Sequence, residues 1–285
     1  MARCPAVAEP FIGSDAVKAG TKSHNQLRRR YQRIFPDVYI SKDIDLTPVQ
    51  RAHAGWLWSR RRGVVAGLSA CALYGSKWID PDQPAELIHG NRSHPSGMRV
   101  RGDRLRPDEV QVVNGLPVTT PARTALDLGC WYPPTFAVPA IDALARVCGL
   151  AVSDLGVLLE RYPKRRGIRR ARISVELMDA GAQSPKESWL RMILVMAGIP
   201  RPQTQIPVPD ECGVVFAHLD MGWEEVKVAA EYDGEHHRTD REQYGWDQRR
   251  RERLERLGWL VVRVIAGQRP SEIISRVRSA LASRG

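Results

Sequence analysis

The stretch VAAEYDGEHH, residues 228–237, reads as a short apolar strand that ends in carboxylates, a glycine and two histidines. Glu231 and Asp233 are two residues apart, so they share one face of the predicted strand, while Tyr232 points to the other. Gly234 allows the chain to turn sharply before the histidines. Few apolar strands end in so many ionisable groups, so the stretch predicts a site rather than a plain strand end.

The segments around this strand predict an α/β unit for residues 184–285. SPKESWLRMILVMAG predicts a helix, with Ser184 as its N-cap, Pro185 at its first position and Gly198 after its end. Three strands follow, in PQTQIPV, VVFAHLDM and VKVAAEYDG, and then a long basic helix in DREQYGWDQRRRERLERLG. WLVVRV and PSEIISRVRSALAS complete the order as a strand and a helix.

A third carboxylate belongs with this strand end. Asp220 precedes Glu231 by eleven residues, across a tight turn between consecutive strands, and antiparallel pairing would place the two side by side. Unpaired carboxylates repel one another, and burial raises their pKa. A divalent cation removes that penalty, and oxygen ligands favour Mg²⁺ or Mn²⁺. We therefore predict that Asp220, Glu231 and Asp233 bind Mg²⁺ or Mn²⁺, which can activate water and stabilise charge on a phosphate.

Other candidate catalytic residues lie close by in the sequence. A histidine beside such a cation can protonate a leaving oxygen or activate water near neutral pH, and we expect His237 to have this role. Whether the adjacent His236 belongs to the site stays open. Glu187 has two interpretations, as a catalytic acid or as the acid of a capping box with Ser184.

HLDMGWEEVKVAAEYDGEHH, followed by DQRRRERLERLGWLVVRV, resembles the very-short-patch-repair-like branch of the PD-(D/E)XK nuclease superfamily. The resemblance covers roughly the last hundred residues. It implies a restriction-endonuclease-like domain, with a mixed four-stranded sheet flanked by helices, and a metal-dependent DNA endonuclease acting in DNA repair or defence. It also matches Glu187 to the helix acid of the superfamily. The other matching residues are Asp220, Glu231, Asp233, Gly234, His237, Asp247, Arg250, Leu254, Gly258 and Trp259.

One position departs from the superfamily pattern. Its usual lysine, two residues after the strand acid, is Asp233 here, as it generally is in this branch. A lysine orients water and stabilises the negative charge of the phosphate, but a carboxylate cannot stabilise that charge. The resemblance therefore implies that the metal stabilises more of this charge and that His237 transfers the proton. A non-catalytic DNA-binding regulator that carries a degenerate nuclease fold is the alternative.

The charge of the chain is informative about partners. A net charge of +11 and a pI of about 9.8 predict a polyanionic partner, DNA above all, unless the genome simply favours arginine. Seven lysines and arginines fall within residues 161–172, which form either a phosphate-tracking arm or the solvated face of a helix at 168–180. The arginines predicted to bind nucleic acid are Arg28, Arg29, Arg30, Arg165, Arg166, Arg249 and Arg250.

The first 45 residues predict a small DNA-binding segment. SHNQLRRRYQR, residues 23–33, predicts a basic helix, and IFPDVYI, residues 34–40, an extended wing. Together with the preceding helix in SDAVKAG, they indicate either a winged helix-turn-helix or a solvated helical bundle. With NGLPVTTPARTALDL, this start is similar to antitoxins of the abortive-infection type IV kind, which implies DNA binding. Asp37 stands where the wing of those antitoxins usually has a glycine.

Residues 46–160 predict a compact α/β region that continues the antitoxin resemblance, and residues 161–183 a basic linker or helix before the nuclease-like domain at 184–285. GVVAGLSACALYG, residues 63–75, predicts one apolar helix. AELIHG, MRVRGDRL and EVQVVNGLPVTT predict strands, and Thr120 with Pro121 begins a further helix.

Three other classes do not fit the chain. No apolar run approaches the roughly 18 residues that span a bilayer, and the start lacks the apolar core of a secretory signal. The five cysteines are scattered with no CxxC pair, which does not match a structural zinc site. We expect a cytoplasmic protein with no membrane partner; the sequence leaves its oligomeric state open.

Overall fold

The computed structural model describes residues 9–91, 93–233 and 241–284, with the backbone alone for 241–247. The chain divides into two compact units, Met1–Glu176 (the first unit) and Leu177–Gly285 (the second unit). Both combine helices with β-sheets, so the predicted α/β class is confirmed.

The first unit begins with a small antiparallel sheet and two short helices. Ser23 caps the second helix, because its Oγ accepts a hydrogen bond from Gln26 N and the Gln26 side chain accepts one from Ser23 N. The basic helix predicted over residues 23–33 is wrong at its end, since residues from Tyr31 onward pair in the sheet. The elements are β1 (Phe11–Ile12), α1 (Gly13–Lys18), α2 (His24–Arg30), β2 (Tyr31–Phe35) and β3 (Val38–Ser41), with sheet order β1-β3-β2.

The turn between β2 and β3 explains the aspartate at position 37. Asp37 has φ +62° and follows Pro36, the arrangement in which a turn usually needs glycine. Its carboxylate accepts hydrogen bonds from Ser14 N at 2.8 Å, from Ser14 Oγ at 2.6 Å and from Arg60 Nη2 at 2.8 Å. These contacts compensate for the left-handed backbone and tie the hairpin to the rest of the first unit.

A second sheet forms the centre of the first unit. Its strand order is β6-β5-β4-β8-β7, with β4–β8 and β5–β6 parallel and β4–β5 and β7–β8 antiparallel. The single helix predicted over residues 63–75 is wrong: Val65 pairs with both neighbouring strands, and Gly67, at φ +54° beside the Glu86 carboxylate, separates strand from helix. The elements are α3 (Pro48–Trp58), β4 (Val64–Val65), α4 (Gly67–Leu73), β5 (Ala85–Ile88), β6 (Met98–Arg101), β7 (Val110–Val113) and β8 (Leu116–Thr119).

Four helices complete the first unit: α5 (Pro121–Trp131), α6 (Pro134–Cys148), α7 (Val152–Arg161) and α8 (Ile168–Glu176). The predicted start at Thr120 and Pro121 is confirmed, because Thr120 Oγ1 accepts a hydrogen bond from Arg123 N. The stretch 161–183, predicted as a basic linker or helix, contains α8. Within the described residues, no single helix is long and apolar enough to cross a membrane. Helices α6 and α7 have the required length and hydropathy only when taken together, and the chain bends by 120° between them.

The second unit has the element order predicted from the sequence. Its sheet has the order β12-β11-β10-β9, in which β11 and β12 are parallel and the other neighbours antiparallel. Two apolar clusters cover it, one around Leu190 and Ile273 and the other around Leu254 and Trp259. The elements are α9 (Pro185–Met196), β9 (Gln203–Pro209), β10 (Val215–Trp223), β11 (Val228–Asp233), α10 (Arg241–Arg256), β12 (Leu260–Ile265) and α11 (Pro270–Ala282).

Candidate active site in the second unit

Glu187 enters the site from the first turn of α9. Ser184 caps this helix by accepting a hydrogen bond from Glu187 N at 3.2 Å, and Pro185 occupies its first position. The Glu187 side chain is buried, with 8% exposed. Its Oε2 accepts hydrogen bonds from Gln183 N at 2.8 Å and from Gln205 Nε2 at 3.2 Å. Glu187 thus binds the backbone amide of Gln183, one residue before the N-cap, rather than that of Ser184 as the acid of a capping box does. Its charge also acts on Asp220.

Asp220 and Glu231 are brought together by strand pairing. Strands β10 and β11 are antiparallel, and Met221 lies opposite Ala230, so the next position along each strand is Asp220 and Glu231. Asp220 Oδ2 accepts a hydrogen bond from Tyr232 N at 2.9 Å. The predicted adjacency of these two strands is confirmed.

The pKa of Asp220 is changed by burial and by the acids near it. Burial raises its pKa to about 7, and the negative charges of Glu187 and Glu231 act in the same direction. The hydrogen bond from Tyr232 N and the charge of Arg250 oppose the rise only in part. Asp220 is therefore partly protonated at neutral pH, and a nearby cation would favour its ionised form.

Arg250 of α10 is the cation that the described structure places against these acids. Its Nη2 donates to Glu231 Oε1 at 2.6 Å and its Nη1 to Glu231 Oε2 at 3.1 Å. Nη2 also donates to the carbonyl oxygen of His218 at 2.9 Å. This two-point contact holds Glu231 with good geometry. The sequence predicted Arg250 as a nucleic-acid contact and gave no sign of its ion pair with Glu231.

Asp233 lies further along β11, and its environment differs. One of its oxygens is 3.9 Å from Arg263 Nη1, and its side chain is 41% exposed. Among the described residues, no group of three or more His, Cys, Asp and Glu side chains is arranged to hold a metal ion. That Asp220, Glu231 and Asp233 share one ion stays a prediction. His236 and His237, the other predicted members, lie outside the described residues.

A lysine that sequence reasoning missed stands on α9. Lys186 Nζ is 5.7 Å from the centre of the Tyr232 ring, which also meets the Trp189 ring edge-on. Lys186 immediately precedes Glu187 in the sequence, and its contact is with the ring of Tyr232, the residue after Glu231. The available signal was its position in the helix turn that supplies Glu187.

The arginines predicted to bind nucleic acid fall into two groups. Arg28, Arg29 and Arg30 form the exposed last turn of α2, and Arg166 and Arg249 are also exposed. Arg165 and Arg250 are held in ion pairs instead. Arg165 Nη2 lies 2.6 Å from Asp127 Oδ1 and 2.9 Å from Asp103 Oδ1, and its side chain is 11% exposed.

Comparison with known proteins gives relatives without a described activity. No family model and no solved structure matches the chain. Two uncharacterized proteins of Mycobacterium tuberculosis, from strains CDC 1551 / Oshkosh and H37Rv, are 27% identical to it over 252 residues. The alignment covers 86% of this chain and 90% of each relative. It is longer than the first unit, Met1–Glu176, so the similarity extends through both units.

Proposed function

We propose that the chain is a metal-dependent DNA endonuclease whose second unit hydrolyses phosphodiester bonds and whose first unit binds DNA. The observation that carries the proposal is the meeting of Glu187, Asp220 and Glu231, from one helix and two adjacent strands, with the pKa of Asp220 raised to about 7. Perturbed acids gathered in this way are typical of functional sites. The element order of the second unit also agrees with the restriction-endonuclease-like fold that the resemblance implies.

The donor atoms of these acids suit a hard divalent cation, although no three of the described acids are grouped around one point in this structure. Asp220 and Glu231 would hold Mg²⁺ or Mn²⁺, with Asp233 as the further predicted ligand, because carboxylate oxygens suit these ions. Burial is the main cause of the raised pKa of Asp220, the charges of Glu187 and Glu231 add to it, and a cation would offset the rise. When bound, such an ion supplies positive charge against the charge that develops on a phosphodiester during hydrolysis.

The residues of the chain have separate parts in this proposal. A bound cation would favour the ionised form of Asp220, whose pKa lies near neutrality. If Glu231 held a cation, Arg250 would be available to a phosphate oxygen, for which its planar fork is suited. His237 remains the proposed general acid or base. Glu187 keeps its two bonds to Gln183 and Gln205 and adds negative charge beside Asp220.

DNA binding by the first unit is proposed from charge and exposure. Arg28, Arg29 and Arg30 are exposed on α2, next to the β2–β3 hairpin that we predicted as a wing. Lys22 packs over the Phe11 and Tyr31 rings at 4.9 and 5.0 Å, which adds a further cation to this surface. Phosphate contacts of this kind give affinity that falls steeply with salt.

Cleavage assays test the proposal. Purified protein is incubated with supercoiled, nicked, mismatched and branched DNA in Mg²⁺ or Mn²⁺, beside Asp220→Asn and a control, Glu225→Gln. Glu225 is an exposed acid in the turn between β10 and β11. We expect Asp220→Asn to lower the cleavage rate by at least about a hundredfold, as for loss of a metal ligand, and Glu225→Gln to leave it unchanged. Cleavage by Asp220→Asn at the wild-type rate contradicts the proposal.

One observation favours a second candidate, a non-catalytic DNA-binding regulator of the antitoxin type with a degenerate nuclease fold. Arg250 takes both oxygens of Glu231, so the chain itself supplies a cation where the nuclease needs a metal. The presence of Asp233 where the superfamily usually has a lysine agrees with this. A salt-dependent gel shift on the promoter of its own gene, with no Mn²⁺ binding by calorimetry, supports the regulator.

A further inference from the structure

We propose that a cavity in the first unit is a phosphate-binding site. The cavity has a volume of about 710 Å³ and is formed by the end of β6, the end of α5 and the start of α8. That volume is in the range of ligand pockets. Its lining includes one carboxylate, Asp103, and four arginines: Arg101, Arg165, Arg166 and Arg170. The site rests on the first unit alone and does not depend on whether the second unit cleaves DNA.

Two of these arginines bury nitrogen atoms that have no hydrogen-bond partner among the described residues. They are Nη1 of Arg165 and Nε of Arg101. Arg165 uses Nη2 for Asp103 and Asp127, which fixes the guanidinium, and Arg101 packs over the Trp131 ring at 4.2 Å. A buried N–H without an acceptor is costly, so an anion that reached either nitrogen would offset that cost.

The positive charge of the cavity exceeds the negative charge available to balance it. Asp103, the one lining carboxylate, is paired with Arg165, which also contacts the buried Asp127, and Arg101 interacts with the buried Glu86. The excess of positive charge therefore comes from Arg166 and Arg170. Arg166 is exposed and makes no hydrogen bond or ion pair with a described residue. Arg170 donates from Nη2 to the carbonyl oxygen of Cys130 at 2.6 Å, which orients it without neutralising it. Like charges held together in this way favour an anionic ligand.

The backbone holds these arginines in place. Gly167 has φ +86°, and a Cβ there would overlap the carbonyl of Cys130, so the start of α8 lies directly against the end of α5. A Cβ on Gly129 would come within 2.8 Å of Ala171 Cα, which brings the two helices equally close one turn later. The first turn of α8 carries no acidic residue. Its positive end therefore adds to the arginine charge instead of being offset.

A phosphate group is the anion that suits this arrangement. Guanidinium groups present planar pairs of N–H donors that match phosphate oxygens. The phosphate can be free, as inorganic phosphate or part of a nucleotide, or it can belong to a nucleic acid. Both sources share one chemistry, and the same variants distinguish them.

The experiment uses the full chain with two probes, inorganic phosphate in calorimetry and a fluorescently labelled DNA duplex in anisotropy. The test variant is Arg166→Gln, whose exposed side chain can change without disturbing the core. Arg169→Gln is the matched control, an exposed arginine of α8 that does not line the cavity. We expect Arg166→Gln to weaken phosphate binding roughly tenfold, the loss of one charge-assisted contact, and Arg169→Gln to change it less than about twofold.

The duplex identifies the source. If Arg166→Gln weakens duplex binding more than Arg169→Gln does, and lowers the slope of log affinity against log salt by about one, the phosphate belongs to nucleic acid. If inorganic phosphate alone separates the two variants, the ligand is a free phosphate compound. If neither probe separates Arg166→Gln from Arg169→Gln, the cavity is not a phosphate site and the proposal is overturned. Arg166→Lys, which keeps the charge without the planar fork, should fall between wild type and Arg166→Gln.

Discussion

Each unit contains a group of buried or half-buried carboxylates, and the two groups differ in how their charge is balanced. In the first unit, Glu109 and Asp127 are at most 1% exposed, and Arg123 lies between them. Arg123 Nε donates to Asp127 Oδ1 at 2.8 Å, and its Nη1 contacts Glu109. Arg161 and Tyr162 donate to Glu109 at 2.7 and 2.6 Å. Each buried carboxylate here faces at least one guanidinium.

In the second unit, Glu187, Asp220 and Glu231 meet, and within the described residues Arg250 is the guanidinium that contacts them. The consequence appears in the pKa values. Burial raises the pKa of Glu109, but bonds from Tyr162 and Arg161 outweigh it and leave the pKa below its usual value. Burial also raises the pKa of Asp127, but there Arg165 and Arg123 oppose the rise. The pKa of Asp220 is raised to about 7, and the charges of Glu187 and Glu231 add to the effect of burial. A balanced group of charges serves the fold, whereas an unbalanced one indicates a site that receives a further cation.

Removal of the central arginine of the first group should have the largest effect. Arg123→Met leaves Glu109 and Asp127 buried with less positive charge, which we expect to lower the free energy of unfolding by about 3 to 5 kcal/mol. Urea denaturation measures this change. Arg169→Gln, an exposed arginine, should alter stability by less than about 0.5 kcal/mol. A loss below 1 kcal/mol for Arg123→Met would mean that the first group is not a stabilising network.

Removal of Asp220, the central acid of the second group, should raise the free energy of unfolding instead of lowering it. The pKa of the Asp220 carboxyl is about 3.9 in the unfolded chain and about 7 in the folded one. Between about pH 3.9 and about pH 7, folding therefore binds a proton, and the free energy of unfolding falls as the pH rises. Asp220→Asn lacks this loss and keeps an acceptor for Tyr232 N. We expect the free energy of unfolding of Asp220→Asn to equal that of wild type near pH 4 and to exceed it by about 2 kcal/mol at pH 8. This is about half of what the pKa shift alone would give, because Asp220 is only partly buried.

Denaturation in urea with EDTA at several pH values checks the Asp220 prediction. Glu225→Gln, in the exposed turn, provides the control and should follow the wild-type dependence on pH. If Asp220→Asn is less stable than wild type throughout the range, the charge of Asp220 is compensated in the folded protein and the two groups of acids do not differ as described.

Arg250 should give the smallest effect and the sharpest distinction between the two candidate functions. In the nuclease, Arg250 competes with the metal for Glu231, so Arg250→Gln should strengthen Mn²⁺ binding by about threefold, less than 1 kcal/mol. In the regulator, Arg250 is a permanent substitute for the metal. Calorimetric titration with Mn²⁺ measures the change, and weaker binding by Arg250→Gln would show that this arginine supports the metal site instead of competing with it.

Much of the second unit could be predicted because its signals are local. Ser184 and Pro185 mark the start of α9, and the short turn after β10 places Asp220 beside Glu231 once the strands are antiparallel. The order of helices and strands follows from apolar runs and the glycines between them. Local patterns therefore gave the acids of the candidate site, though not their counterions.

The remainder depended on contacts distant in sequence. Arg250 meets Glu231 across 19 residues, through the packing of α10, and Arg165 meets Asp127 from the turn between α7 and α8. Residues 63–75 were misread because a continuous apolar run fits a buried strand as well as a buried helix. Helix α3 was missed although Thr47 and Pro48 carry an ordinary start signal.

The most direct test of the central claim is a calorimetric titration of the full chain with Mn²⁺ at pH 7.5, for wild type, Asp220→Asn and Glu225→Gln. If the unbalanced acids of the second unit form a cation site, wild type and Glu225→Gln bind one Mn²⁺ with equal affinity, and Asp220→Asn binds it at least about tenfold more weakly. Equal binding by all three proteins, or no binding by wild type, would contradict the account.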